Sequence, residues 1–219
     1  MEKNNIIISE TDNMELMKVD FDNIYKIHIK AVDERLILTK LQISFLSAPF
    51  LVIVTLISAK IIKHSVLYSF ETIPFYIFAF IFICGLANII PLIRFIEVTG
   101  THMRTARAIN NFRRFYTINL ASKFEDSNWT PNLPTDPNFP PTFSILSWSS
   151  FNISFFAIIN SSYITIGIFG FDGNSPISAS GFFIIIILSI IQYSMYYFKG
   201  KIRPFLNPRP QNELNEVEI

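Results

Sequence analysis

The chain has 219 residues, half of them hydrophobic and 16% charged, with a formal net charge of +1. Soluble chains carry about 25% charged residues, so this composition does not suit a water-solvated globule. Near-neutral charge offers no field for nucleic acid, and the single cysteine, Cys84, excludes an intramolecular disulfide or a thiolate metal cluster.

The charges gather in 1–40, 94–126 and 199–219. Residues 1–21 read as a flexible acidic tail. A short basic stretch feeding directly into an apolar core, the mark of a cleavable signal, is absent here. All four apolar spans described below are therefore expected to persist. From Asp22 to Lys40, Ile24, Ile27, Ala31 and Leu36 recur at spacings of three to five. Lys26, Lys30, Asp33, Glu34 and Arg35 lie between them. Neither Pro nor Gly separates this stretch from the uncharged run Leu41–Ala59. One helix is expected from about Asp22 to Ile62, kinked near Pro49, which has no backbone donor.

The next uncharged run, Thr72–Ile93, follows a short link at Lys60–Glu71. Beyond it Met103, Ala106, Ile109, Phe112, Tyr116 and Leu120 repeat every three or four residues. Span two is expected to run on as an amphipathic helix that Gly100 either breaks or weakens. The two extensions should pack together as a cytoplasmic stalk. Pro131, Pro134, Pro137, Pro140 and Pro141 mark Ser127–Phe143 as an irregular or polyproline-like connector. It reads as a stiff linker or as a docking strip. Pro137–Phe171 and Gly173–Phe198 are again free of charge, joined by the turn residues Asp172-Gly173-Asn174. The tail ends in Glu213, Glu216 and Glu218 and reads as flexible.

A bilayer needs about 20 apolar residues at a rise of about 1.5 Å each, and four runs meet that length. The expected fold is all-α, a polytopic membrane protein with spans at about 41–62, 72–94, 149–171 and 177–198. The spans form two antiparallel hairpins within one domain, 22–200, with a cytoplasmic loop at 95–148 and a tail at 201–219. Lysine and arginine divide 16 to 2 between the N-terminal, middle and C-terminal segments and the two short links. The positive-inside rule then places both termini and the long loop in the cytoplasm of a cell inner (plasma) membrane.

No charged residue lies within an apolar run; Glu71, Arg94 and Lys199 stand at span ends. A transporter built on a buried carboxylate and an intramembrane protease are disfavoured. His28, His64 and His102 lie outside the spans without metal-ligand spacing. No catalytic, metal or cofactor site is expected; Glu97 with His102 is the one enzymatic pair that can be assembled, for lipid-linked substrates. The polar residues of the spans are Asn88, Asn152, Ser154, Asn160, Ser161, Ser162, Thr165 and Gln192. Asn88, Asn160, Ser161, Ser162 and Gln192 read either as interhelical hydrogen-bonding groups or as the lining of an oligomeric pore. Ser44, Ala48, Gly85, Ala87, Gly167 and Gly170 permit close helix approach. Trp148, Phe151, Tyr193, Tyr196, Tyr197 and Phe198 read as interfacial anchors. Cys84 reads as a packing residue.

Arg104, Arg107, Arg113 and Arg114 interleave with the second apolar stripe. They suit anionic headgroups, an acidic soluble partner, or phosphate, for which no Gly-rich loop is present. Four spans, short outer links and a basic inner loop form a layout that resembles small bacterial proteins encoded beside soluble sensors or nucleases, membrane components of phage-defence systems among them. The likeness is one of layout. The expected role is a non-enzymatic membrane subunit that contacts lipid, homo-oligomerises and docks a cytoplasmic protein, in a phage-defence or stress-response setting. The alternative is an oligomeric channel-like effector.

Overall fold

The structure, a computed structural model, describes residues 10–59, 73–121, 138–140, 145–171 and 178–201. Among them are five α-helices and no strand: α1 (Glu10–Ser58), α2 (Phe75–Ala87), α3 (Ile89–Ala121), α4 (Trp148–Phe171) and α5 (Ala179–Lys201). Four helical stretches are long and apolar enough to cross a membrane, within α1, across α2 and α3, in α4 and in α5. The protein is therefore a multi-pass, membrane-embedded helical protein. The expected links at 60–71 and 172–174 lie outside the described residues. So do the Pro-rich connector apart from 138–140, and the tail beyond Lys201.

The described chain divides into two compact units. One holds residues 10–34, 101–121 and 138–140; the other holds 35–59, 73–100, 145–171 and 178–201.

Helix α1 begins at Glu10, so residues 10–21, read from sequence as tail, are helical. That stretch has no Gly or Pro and is rich in Met, Leu, Glu and Lys, all strong helix formers. Its inward stripe agrees only in part with the one the spacing suggests. Ala31 is buried as expected, but Ile27 and Leu36 are exposed and Leu38 and Gln42 are buried instead. Phe21, Ile24, His28 and Arg35 are half-buried on the same line. The spacing alternates three and four from Phe21 to Gln42, the period of a helix-packing seam.

Pro49 lies inside α1. A helix proline frees the carbonyl four residues earlier, here that of Phe45, and its ring crowds the turn around it; the next carbonyl, of Leu46, takes a bond from outside the helix. Tyr163 of α4 donates its hydroxyl to the Leu46 carbonyl at 2.5 Å. In the second unit this bond links α1 to α4.

The division between α2 and α3 has a similar cause. Pro91 has no N–H to offer Ala87, and the chain passes through a turn at Asn88. The Asn88 amide still reaches the Cys84 carbonyl at 3.1 Å, so the two helices nearly continue one another. Gly100 does not break α3.

Helix α4 packs against both α2 and α5. Its contact with α2 relies on missing side chains. A Cβ on Gly85 would stand 3.0 Å from Tyr163 Cβ, and one on Gly167 2.5 Å from Phe82 Cβ. A Cβ on Gly170 would fall on the Phe78 ring. Around this contact Ile77, Ile81, Cys84 and Tyr163 form a buried core, with Ala48 and Ile53 packed on it. Ser44 is not part of it; it is exposed and donates to Lys40 O. Outward, α5 presents Phe182, Phe183, Ile186, Ile187, Ile190 and Ile191. Such a surface is at home in hydrocarbon.

Candidate functional site

The second unit gathers four of its polar span residues in one interior network. Asn88 Nδ2, at the α2–α3 turn, donates to Asn160 Oδ1 of α4 at 2.7 Å. Asn160 Nδ2 donates to Gln192 Oε1 of α5 at 3.3 Å. Gln192 Nε2 donates to Ser161 Oγ at 3.0 Å, and Ser161 Oγ donates to Ala157 O at 2.7 Å. Asn160 and Ser161 are 0% exposed. Of the five polar residues singled out from sequence, four meet here. Ser162 does not; it turns back on its own helix and donates to Ile158 O at 2.8 Å. Thr165, also buried, donates to Ser161 O at 2.8 Å. In an apolar medium such groups must serve one another, so the network ties the α2–α3 turn, α4 and α5 at one level.

A second polar layer joins the same unit nearer its charged ends. Arg35 Nη2 donates to Ser149 Oγ at 2.9 Å, and its guanidinium carbon stands 5.5 Å from the Phe95 ring centroid. Ser150 and Tyr193 share a hydroxyl hydrogen bond of 2.7 Å. Tyr196 is buried, and its ring meets that of Tyr193 edge-on at 5.9 Å. Trp148 is exposed and stacks on Phe151 at 5.6 Å. Lys199 Nζ of α5 donates to Glu97 Oε1 of α3 at 2.6 Å, and Arg94 approaches Glu97 Oε2 at 3.4 Å. These ions are more than a third exposed, where pairs contribute about 0–1 kcal/mol.

In the first unit α1 and α3 pack on each other. Phe21 meets Phe112 edge-on at 5.6 Å. The His28 ring stacks on His102 at 4.7 Å, with Nδ1 3.0 Å from Thr105 Oγ1. Sequence reading left these histidines apart because 74 residues separate them. Their heptad-like placement on the two inward stripes was the available signal. His102 is thus engaged with His28, while Glu97 of the second unit is engaged with Lys199 and Arg94.

The basic residues of α3 have distinct roles. Arg107 Nε donates to Pro140 O at 2.7 Å, and Asn110 Nδ2 to Phe139 O at 2.8 Å. These two side chains hold the returning chain against α3. Arg113 approaches Asn110 Oδ1 at 3.4 Å. Arg104 is exposed and reaches Thr101 Oγ1 at 3.3 Å; Arg114 is exposed. Burial holds the His28 imidazole below its ordinary value, and the Arg113 charge adds to this; a hydrogen bond to the His102 backbone opposes both. The sign follows from linkage. The unfolded chain binds this proton more readily than the folded one. The neutral pair's stability is therefore fully present above the ordinary value of 6.5, is lost as pH falls below it, and levels off beneath the folded value. Amide exchange in α1 residues 15–34 should accelerate as pH drops from 7.5 to 5.5, after correction for intrinsic rates. In His28→Phe the acceleration should shrink, and an equal acceleration in that variant would assign it elsewhere.

No protein-family model matches this chain, and neither does any curated protein or solved structure.

Proposed function

We propose that the chain is a non-enzymatic integral membrane subunit that homo-oligomerises and docks a cytoplasmic protein through its basic helical unit. One observation carries the reading. The first unit is a compact pairing of α1 and α3, built from residues outside the four apolar spans of the sequence, and it presents Arg104 and Arg114 to solvent. Tyr25, Ile29 and Val32 are exposed in the same unit. A mixed basic and apolar surface suits an acidic protein partner. The cytoplasmic assignment rests on the 16-to-2 division of lysine and arginine.

Asn160, Ser161 and Gln192 are turned onto one another inside a single chain. That favours interhelical bonding over the lining of a pore between subunits. Docking is the stronger reading for this reason.

The test is purification from native membranes in mild detergent, with native mass measured beside co-purifying protein. A discrete oligomer carrying a stoichiometric soluble partner is the expected result. Arg104→Glu combined with Arg114→Glu should release that partner and leave membrane insertion and oligomer mass unchanged. Undiminished recovery of the partner would remove the docking surface from these arginines.

A further inference from the structure

The buried network leaves one conspicuous group unaccounted for. Gln42 of α1 is 0% exposed, yet among the described residues neither its Oε1 nor its Nε2 has a hydrogen-bond partner. Asn88 is 2% exposed; its Nδ2 serves Asn160, but its Oδ1 has no partner. Buried amides are rarely left in this state.

The register of the second unit brings these two residues to the same level. Arg35 of α1 reaches Phe95 of α3. Eleven residues further along α1, the Leu46 carbonyl takes the Tyr163 hydroxyl, and the Tyr163 Cβ lies against Gly85, ten residues before Phe95. The two chain segments therefore run in opposite directions at matched pace. Gln42 stands seven residues past Arg35, and Asn88 seven residues before Phe95. Each step of seven is two helical turns, about 10.5 Å.

We propose that one buried water molecule bridges Gln42 and Asn88, making Gln42 the fifth member of the network and α1 its remaining helix. Water accepts from Gln42 Nε2 and donates to Asn88 Oδ1. The Ala87 carbonyl, deprived of its helical donor by Pro91, offers a further acceptor at this level. A buried water needs two to four such partners. A metal cation fits less well. It would serve only the oxygens, and its charge would lie within spans that hold no carboxylate.

The experiment uses the full chain in lipid bilayers, with nitrogen-labelled glutamine side chains and water-edited solid-state NMR. The chain has three glutamines, and the Gln42 signal is assigned by its loss in Gln42→Met. Early magnetisation transfer from water to the Gln42 amide is expected, together with its loss in Asn88→Leu. The thermal midpoint of Gln42→Met should fall below wild type, because a served amide has been removed. A raised midpoint would mean that the amide is unserved and would overturn the proposal. A lowered midpoint without water transfer in the wild-type chain would replace the bridge by a direct amide–amide bond. Transfer that persists in Asn88→Leu would remove Asn88 as the second anchor.

Discussion

Asn160→Leu should lower stability by about 2–4 kcal/mol, the largest loss expected from a polar substitution in α4. Asn160 is fully buried, accepts from Asn88 and donates to Gln192. Interhelical hydrogen bonds in membranes contribute about 0.6 kcal/mol on average, with a maximum near 1.7. The greater part of the effect comes from the groups left behind. Asn88 Nδ2 and Gln192 Oε1 would each lose a partner, at about 1–3 kcal/mol per buried group. Leucine also branches where the amide was flat, so the site cannot close around it. Ser162→Ala is the matched control. Its hydroxyl bonds only its own helix, and the change should stay within about 0.5 kcal/mol. Reversible unfolding in mixed micelles reads both variants. Equal losses would mean that the network carries no special share of the stability.

The second large effect is expected at the α2–α4 contact. A methyl on Gly167 would lie 2.5 Å from Phe82 Cβ and 3.1 Å from Phe82 Cα. The second of these is backbone, so no rotamer change relieves it, and the helices must separate. Overpacking of this kind costs about 1–3 kcal/mol. Gly100→Ala should act with the opposite sign. Nothing lies within 4 Å of a Cβ there, and the residue is inside α3. Alanine in place of an unconstrained helical glycine gains about 0.4–1 kcal/mol. A pair of midpoint measurements checks both. Gly167→Ala at or above the wild-type midpoint would show that α2 and α4 have slack between them.

The number of membrane-crossing helices was legible because a charge-free run of twenty residues has few alternatives. Which residues face inward was less so. On α1 the stripe Ile24, Ile27, Ala31 and Leu36 was half right: Ala31 is buried and Ile24 half-buried, but Ile27 and Leu36 are exposed and Leu38 and Gln42 take the inward places. Single apolar residues are commonly exposed on a helix surface, so spacing alone does not fix the inward face. The inward seam carries His28, Arg35 and Gln42 at intervals of seven, polar groups that a core-seeking pattern skips. Among the polar span residues the types were readable and the faces were not. Ser161 and Ser162 are neighbours, but helical rotation by about 100° sends one into the network and the other onto its own backbone. The arginines of α3 likewise divide by what lies opposite. Arg107 meets the Pro140 carbonyl, 33 residues away, and no local pattern announces that.

The central position of α4 bears on how the protein is made. It carries the densest set of polar groups of any span, and they are satisfied from both directions along the chain. Asn88, already synthesised, serves Asn160; Gln192, 31 residues after Ser161, arrives only with α5. During synthesis α4 thus emerges before one of its partners does, and its hydrogen bonds to α5 form only once the segment behind it has followed. Helix α5, though largely covered in apolar side chains that face outward, is in this sense the element that completes the hydrogen bonding of its predecessor.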